Sequence, residues 1–362
     1  MDWRHLKAVM VREGALLLTL QPNPRPWQLP FAAAVASGGP LVFGAAAGQL
    51  ALGALGSIAG LAFLYLPPVP LFQRIPIMMA CAFAMLSAYA LGLMGAMLPG
   101  AAIPIIAGVA MLAMLFCKLY SLAPPGPLFI VMAATIAAFT PIDMAHAFRN
   151  IGFFALGALW ACVTAILYSM AMIRRQINRP MLRPAADWDR AVADAVMTGL
   201  FVAISLVVAL LLDLQKPYWV PVSCLAVIQG VTLRASWNRN IHRIIGTFIG
   251  LGLTWMLLPF VHDPWAVVAA ILVLTFLIEM VVVRHYAFAA IFITPLTLIL
   301  AESSSPGTGG AMALMAARLV DTVVGALIGL LGAHFLHHPG WHHAIRRGID
   351  RLGLTERAPD GK

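Results

Sequence analysis

Charge is what this chain has least of. Only 10% of its 362 residues are Asp, Glu, Lys or Arg, against 62% hydrophobic, and the mean hydropathy is +0.91. Soluble domains carry about 25% charged residues, so an ordinary soluble fold is excluded. Cysteine is scarce too. Cys81, Cys117, Cys162 and Cys224 are scattered through apolar runs, at neither disulfide-framework nor metal-ligand spacing, and read as small buried hydrophobes. No Walker loop, dinucleotide fingerprint, HExxH or GxSxG element is present, which leaves ATP-driven pumping and hydrolase chemistry without a site. The chain therefore reads as a non-enzyme with no cofactor and no resident metal. Its N-terminal MDWRHLKAVMVREGALLLTLQPNPRP lacks a small-residue cleavage site; residues 1–26 read as a cytoplasmic amphipathic helix rather than a signal peptide.

What is present is a succession of apolar runs, each long enough to cross a bilayer as a helix. They predict an all-α, polytopic membrane protein with about twelve spans: Trp27–Phe43, Gln49–Leu66, Ile75–Leu98, Ala101–Ser121, Pro127–Phe139, Ala147–Ile173, Asp194–Leu212, Tyr218–Leu233, Ile241–Phe260, Pro264–Val283, His285–Ala301 and Ala311–Leu336. A basic cytoplasmic linker, 174–193, separates a first membrane unit, 27–173, from a second, 194–336; an interfacial tail covers 337–362. With both termini cytoplasmic, every Lys and Arg except Arg149, Lys216 and Arg318 falls on the inner side, as the positive-inside rule requires. The net charge of +9 is thereby explained by the bilayer, with no nucleic-acid partner.

The two units resemble one another. Gln73-Arg74-Ile75-Pro76 precedes the third span as His242-Arg243-Ile244-Ile245-Gly246 precedes the ninth, and Leu156-Gly157-Ala158 matches Val324-Gly325-Ala326. Six helices per unit give two parallel repeats about an axis along the membrane normal, with a substrate path between them.

The stretch Tyr218–Leu253 reads as a membrane hairpin. Tyr218 and Trp219 suit the headgroup level; Arg234, Trp237, Asn238, Arg239, Asn240, His242 and Arg243 form a basic turn; Gly246 and Gly250 share a face that a neighbouring backbone can approach. Arg243-Ile-Ile-Gly-Thr-Phe-Ile-Gly and, later, Arg318-Leu-Val-Asp-Thr-Val-Val-Gly resemble two elements of the fusaric acid resistance protein-like, or aromatic acid exporter, family. The resemblance covers Asp194 to about Leu336. It implies an inner-membrane exporter of aromatic or other hydrophobic organic acids, driven by the proton-motive force. In related systems a periplasmic adaptor and an outer-membrane channel assist, and a homo-oligomer stays open. Larger members carry a substantial soluble region for which this chain has no room. A passive organic-anion channel and a non-transport envelope scaffold are the alternatives.

Ionisable groups inside a bilayer are costly and are candidates by default. Arg318 and Asp321 lie three apart on one helical face, so either Arg318 attracts a substrate carboxylate while Asp321 carries a proton, or the two neutralise each other. Lys118 and Glu279 occupy equivalent places in the fourth and tenth spans, where either they meet across the bundle, or Lys118 snorkels and Glu279 pairs with Arg284 or Arg243. Gln229 and Thr247 could bind an acid or simply a neighbouring helix; Arg243 reads as an interfacial anchor. The tract His334–His343 holds five histidines but no carboxylate or thiol at ligand spacing.

Overall fold

The computed structural model describes residues 22, 25–98, 100–122, 124–140, 144–172, 188–230, 232–304 and 310–338. The expected N-terminal helix, most of the basic linker and the tail beyond 338 lie outside the described residues. Among those described the secondary structure is helical with no strand: α1 (Gln28–Ala46), α2 (Leu50–Gly60) continued by a 3-10 turn (Leu61–Tyr65), α3 (Leu71–Met97), α4 (Ala102–Leu119), α5 (Leu128–Ala138), α6 (Met144–Ala171), α7 (Trp188–Leu211), α8 (Trp219–Ile228), α9 (Leu233–Leu257), α10 (Pro264–Val281), α11 (Tyr286–Ser304) and α12 (Ala311–Leu336). Eight of them, α1, α3, α4, α6, α7, α9, α10 and α12, are long and apolar enough to cross a membrane. The protein is a multi-pass membrane protein.

Three of the other four helices, α2, α5 and α8, are short, and their chemistry says why they sit inside. α8 has ten residues, about 15 Å of rise, half of the hydrocarbon thickness. Its ends would strand unpaired backbone groups in lipid. Accordingly every residue of α8 is buried, and α5 is buried along most of its length. Both are apolar on all faces, as a helix enclosed by protein must be. Prolines and glycine delimit α5 at its start (Pro124, Pro125, Gly126, Pro127), and the Asp213–Pro217 loop precedes α8.

Helix contacts follow one order in both halves. α2 and α3 pack on α6, α3 on α5 and α1 on α2; likewise α8 and α9 pack on α12, α9 on α11 and α7 on α8. Between the halves α4 meets α7 and α10 meets α1, while α5 meets α8 and α2 meets α11. The closest approaches use glycine. A Cβ on Gly157 of α6 would overlap the Gly56 carbonyl of α2, and one on Gly325 of α12 the Val220 carbonyl of α8. Gly246 and Gly250 do face a neighbouring backbone, that of α11, where Ala287 O and Ile291 O would lie 2.8 and 2.6 Å from an added Cβ.

Two expectations about helix limits, one of them in the 218–253 hairpin, are corrected. The basic segment is not a turn: α9 already starts at Leu233, and the real break is Gln229–Thr232, where Thr232 caps α9 by accepting from Ala235 N at 3.1 Å. α7 likewise starts at Trp188 rather than Asp194, since Asp189 in its first turn suits the helix dipole and lets the helix extend past the apolar run.

Candidate functional site

A cavity of about 520 Å³ lies among the helices, within the range of small-molecule sites. α2, α5, α8 and α11 line it together with α9, α10 and α12, so both halves contribute. Its wall carries four arginines, Arg25, Arg239, Arg243 and Arg318, against one carboxylate, Glu279. A concave, partly apolar space with that excess of cations concentrates anions.

Arg243 is the best-held of the four. It sits in the third turn of α9, 5% exposed, donating from Nη1 to Tyr286 Oη of α11 and from Nη2 to Ser223 Oγ of α8, both at 3.0 Å. It is therefore buried in the bundle rather than anchored at the interface. The expected span Ile241–Phe260 puts it at the helix end; the early start of α9 at Leu233 puts it two turns further in. Arg239, one turn earlier, lies 5.5 Å from the Tyr286 ring centroid and reaches Ala226 O at 3.5 Å.

Arg318 on α12 is 2% exposed and lies 4.0 Å from the centre of the Trp219 ring on α8. A desolvated guanidinium over indole is a favourable cation–π contact. The ion pair with Asp321 that the three-residue spacing suggests does not form among the described residues. Neither carboxylate oxygen of Asp321, nor Nε or Nη1 of Arg318, has a hydrogen-bond partner there. Asp321 is fully buried. Trp219, read from sequence as a headgroup-level ring, is a buried wall residue; the missed signal is that a buried cation turned away from its carboxylate needs a π face.

Lys118 and Glu279 do not meet. Lys118 of α4 pairs with Asp194 of α7, and Glu279 of α10 pairs with Arg25, just before α1, at 3.8 Å. Each fourth helix of a half thus engages the other half's first. Glu279 lies on the cavity wall and Lys118 does not. Replacing Lys118 by Met should strand the buried Asp194 carboxylate and cost up to about 3 kcal/mol. The Lys118→Met/Asp194→Leu double variant should recover most of that in a thermal melt of the solubilised protein; a double variant that melts with the single one would show that the two charges are not coupled.

Gln229 caps α8 and lines the cavity with its amide beside Gly126, while its Nε2 finds no partner among the described residues. Gly126 has φ +58 and accepts a 2.7 Å hydrogen bond from Tyr65 Oη, fixing the start of α5 against the end of α2. Thr247 is buried, one turn beyond Arg243, and is not on the cavity wall. Among the described residues no three His, Cys, Asp or Glu cluster as a metal site; part of the histidine tract lies outside them.

Residues 201–332 match the family described as "Fusaric acid resistance protein-like". That segment is similar to the family, as the two motif elements imply. It contains every polar residue of the cavity wall except Arg25. Over 156 residues, 43% of this chain, the sequence is 37% identical to the "Uncharacterized membrane protein YvaC" of Bacillus subtilis (strain 168). The match spans 25% of that relative's own length. No solved structure matches.

Proposed function

We propose that the protein exports organic acids with apolar, chiefly aromatic, bodies across the bacterial inner membrane, driven by the proton-motive force. The observation that carries this reading is the cavity between the halves, with its excess of arginine over carboxylate and the Trp219 and Tyr286 rings beside the cations. The recurring order of helix contacts supports two parallel six-helix repeats, and the cavity lies where their axis would run. Both termini are then cytoplasmic, and a periplasmic adaptor and an outer-membrane channel would extend the route outward.

Arg318 and Asp321 supply the coupling. Because protons run inward and the acid outward, the two are bound in alternation: Arg318 holds the carboxylate on the outward leg and Asp321 carries a proton on the return. Differential interaction in two states is what allows a proton to drive an anion. The test is flux of labelled benzoate in proteoliposomes with and without an imposed pH gradient. Benzoate should accumulate only with the gradient, and Asp321→Asn should still pass benzoate while losing gradient-driven accumulation. Flux that tracks membrane potential alone would make the protein a passive anion channel and end the exporter reading.

A further inference from the structure

The cavity wall is chemically lopsided, and the asymmetry follows the halves of the chain. Apart from Arg25, every first-half residue on it is apolar, contributed by α2 with its 3-10 turn, the start of α5 and α5 itself. The second half supplies the remaining hydrogen-bonding and charged groups, Arg243, Arg318, Gln229 and Glu279 among them. If the halves descend to one plan, only one of them has kept polar chemistry at the shared centre.

An acid in such a space can satisfy both walls in one orientation. Its carboxylate belongs with Arg243 and Arg318; its body lies on α2 and α5. A second polar group lodged at the far end, against α2 and α5, would give up its water to apolar side chains that offer no hydrogen bond in exchange, an unmade hydrogen bond costing about 1–3 kcal/mol. On α5, Phe129 and Met132 are three apart and share a face. The Phe129 ring packs edge-on against Tyr65, centroids 6.4 Å apart, so it is a fixed stop. Met132, 7% exposed, is unbranched and adaptable, suited to closing on bodies of different width.

We infer that substrate choice is divided between the halves: Phe129 and Met132 on the apolar wall measure the size and polarity of the acid's body, and Arg243 with Arg318 takes a single acidic head. This rests on the transporter reading above. Three probe acids separate the roles: benzoate, the wider 2-naphthoate, and terephthalate, which carries a second carboxylate at the far end.

Transport of each is measured in proteoliposomes, and the ratios are taken within each variant so that differences in the amount of folded protein cancel. Wild type should favour benzoate over terephthalate by about a hundredfold, an unpaired buried polar group being rejected strongly. Met132→Trp should lower naphthoate relative to benzoate about tenfold, and Phe129→Ala should raise it, since steric discrimination in an apolar pocket has that scale. Arg243→Gln should lower benzoate and naphthoate by one common factor. Unchanged naphthoate-to-benzoate ratios in both Phe129→Ala and Met132→Trp, or a ratio that shifts in Arg243→Gln, would overturn the division of roles while leaving the transporter reading intact. Should wild type move none of the three acids, the transporter reading itself falls, and this inference with it.

Discussion

Replacing Arg318 by methionine should abolish acid export while leaving the protein folded. Benzoate flux is expected to drop about a hundredfold, the scale of removing one partner from a buried charge pair. Tolerance of an expressing strain to an inhibitory aromatic acid should fall to that of a strain without the protein. Stability should hold or rise, and this separates a working residue from a structural one. Arg318 is buried with no carboxylate bound to it, and two of its guanidinium nitrogens lack partners among the described residues. Replacing a buried charge by an apolar side chain of similar length is often neutral or stabilising. Methionine also retains contact with the Trp219 ring through its sulfur. Arg318→Lys should be intermediate, because ammonium keeps the charge but lacks the planar face that lies over indole. A methionine variant that melts as wild type and still exports the acid would remove Arg318 from the mechanism and, with it, the anion-binding reading of the cavity.

The all-helical, multi-pass character was legible in the sequence because lipid imposes a single demand on composition. Against the twelve spans expected, eight helices among the described residues are long and apolar enough to cross; prolines announced the short α5. What hydropathy could not separate was a full crossing from a half-length helix buried among others. The run from Tyr218 to Leu233 reads as one span because its apolar character does not falter. The chain nevertheless leaves the helix at Gln229, where Gly230 passes close against Ser236, whose N would lie 2.6 Å from an added Cβ. After that break α9 starts at Leu233 and puts Arg243 in its third turn, where it is a buried donor to Tyr286 and Ser223 rather than a surface anchor. The Lys118 and Glu279 comparison failed for a different reason. The fourth helix of each half packs on the other half's first, so Lys118 faces Asp194 and Glu279 faces Arg25, and the two do not face one another. Arg318 and Asp321 share a helical face, yet spacing along one helix says nothing about a ring on a second. Trp219 draws the guanidinium away.

The second large effect concerns the contact that holds this arrangement in place. Gly325→Leu should prevent assembly of the bundle: little monodisperse protein is expected on size-exclusion chromatography of detergent extracts, and none with the wild-type melting transition. A side chain there meets the Val220 carbonyl directly, Ser223 Cβ at 2.6 Å and Cys224 N at 3.1 Å. Most of these are backbone or near-backbone atoms that cannot rotate aside, and α8 is enclosed on every face, so it has nowhere to move. Overpacking an ordinary core site costs about 1–3 kcal/mol through side-chain adjustment; here the adjustment would have to be the displacement of a helix. That helix carries Trp219 beneath Arg318 and Ser223 beneath Arg243. Even the milder Gly325→Ala, should it fold, is therefore expected to lose acid flux before it loses its melting transition. The same reasoning applies to Gly157 against Gly56 in the first half, but that contact bears no charged wall residue, so Gly157→Ala should lower stability with flux per folded molecule retained. Gly252 supplies the control. It is exposed, with no neighbouring atom within 4 Å of an added Cβ, and Gly252→Leu should stabilise α9 by up to about 1 kcal/mol through helix propensity alone. If Gly325→Leu instead extracts and melts like Gly252→Leu, the packing of α12 on α8 is wrong, and the cation–ring contact built upon it is wrong too.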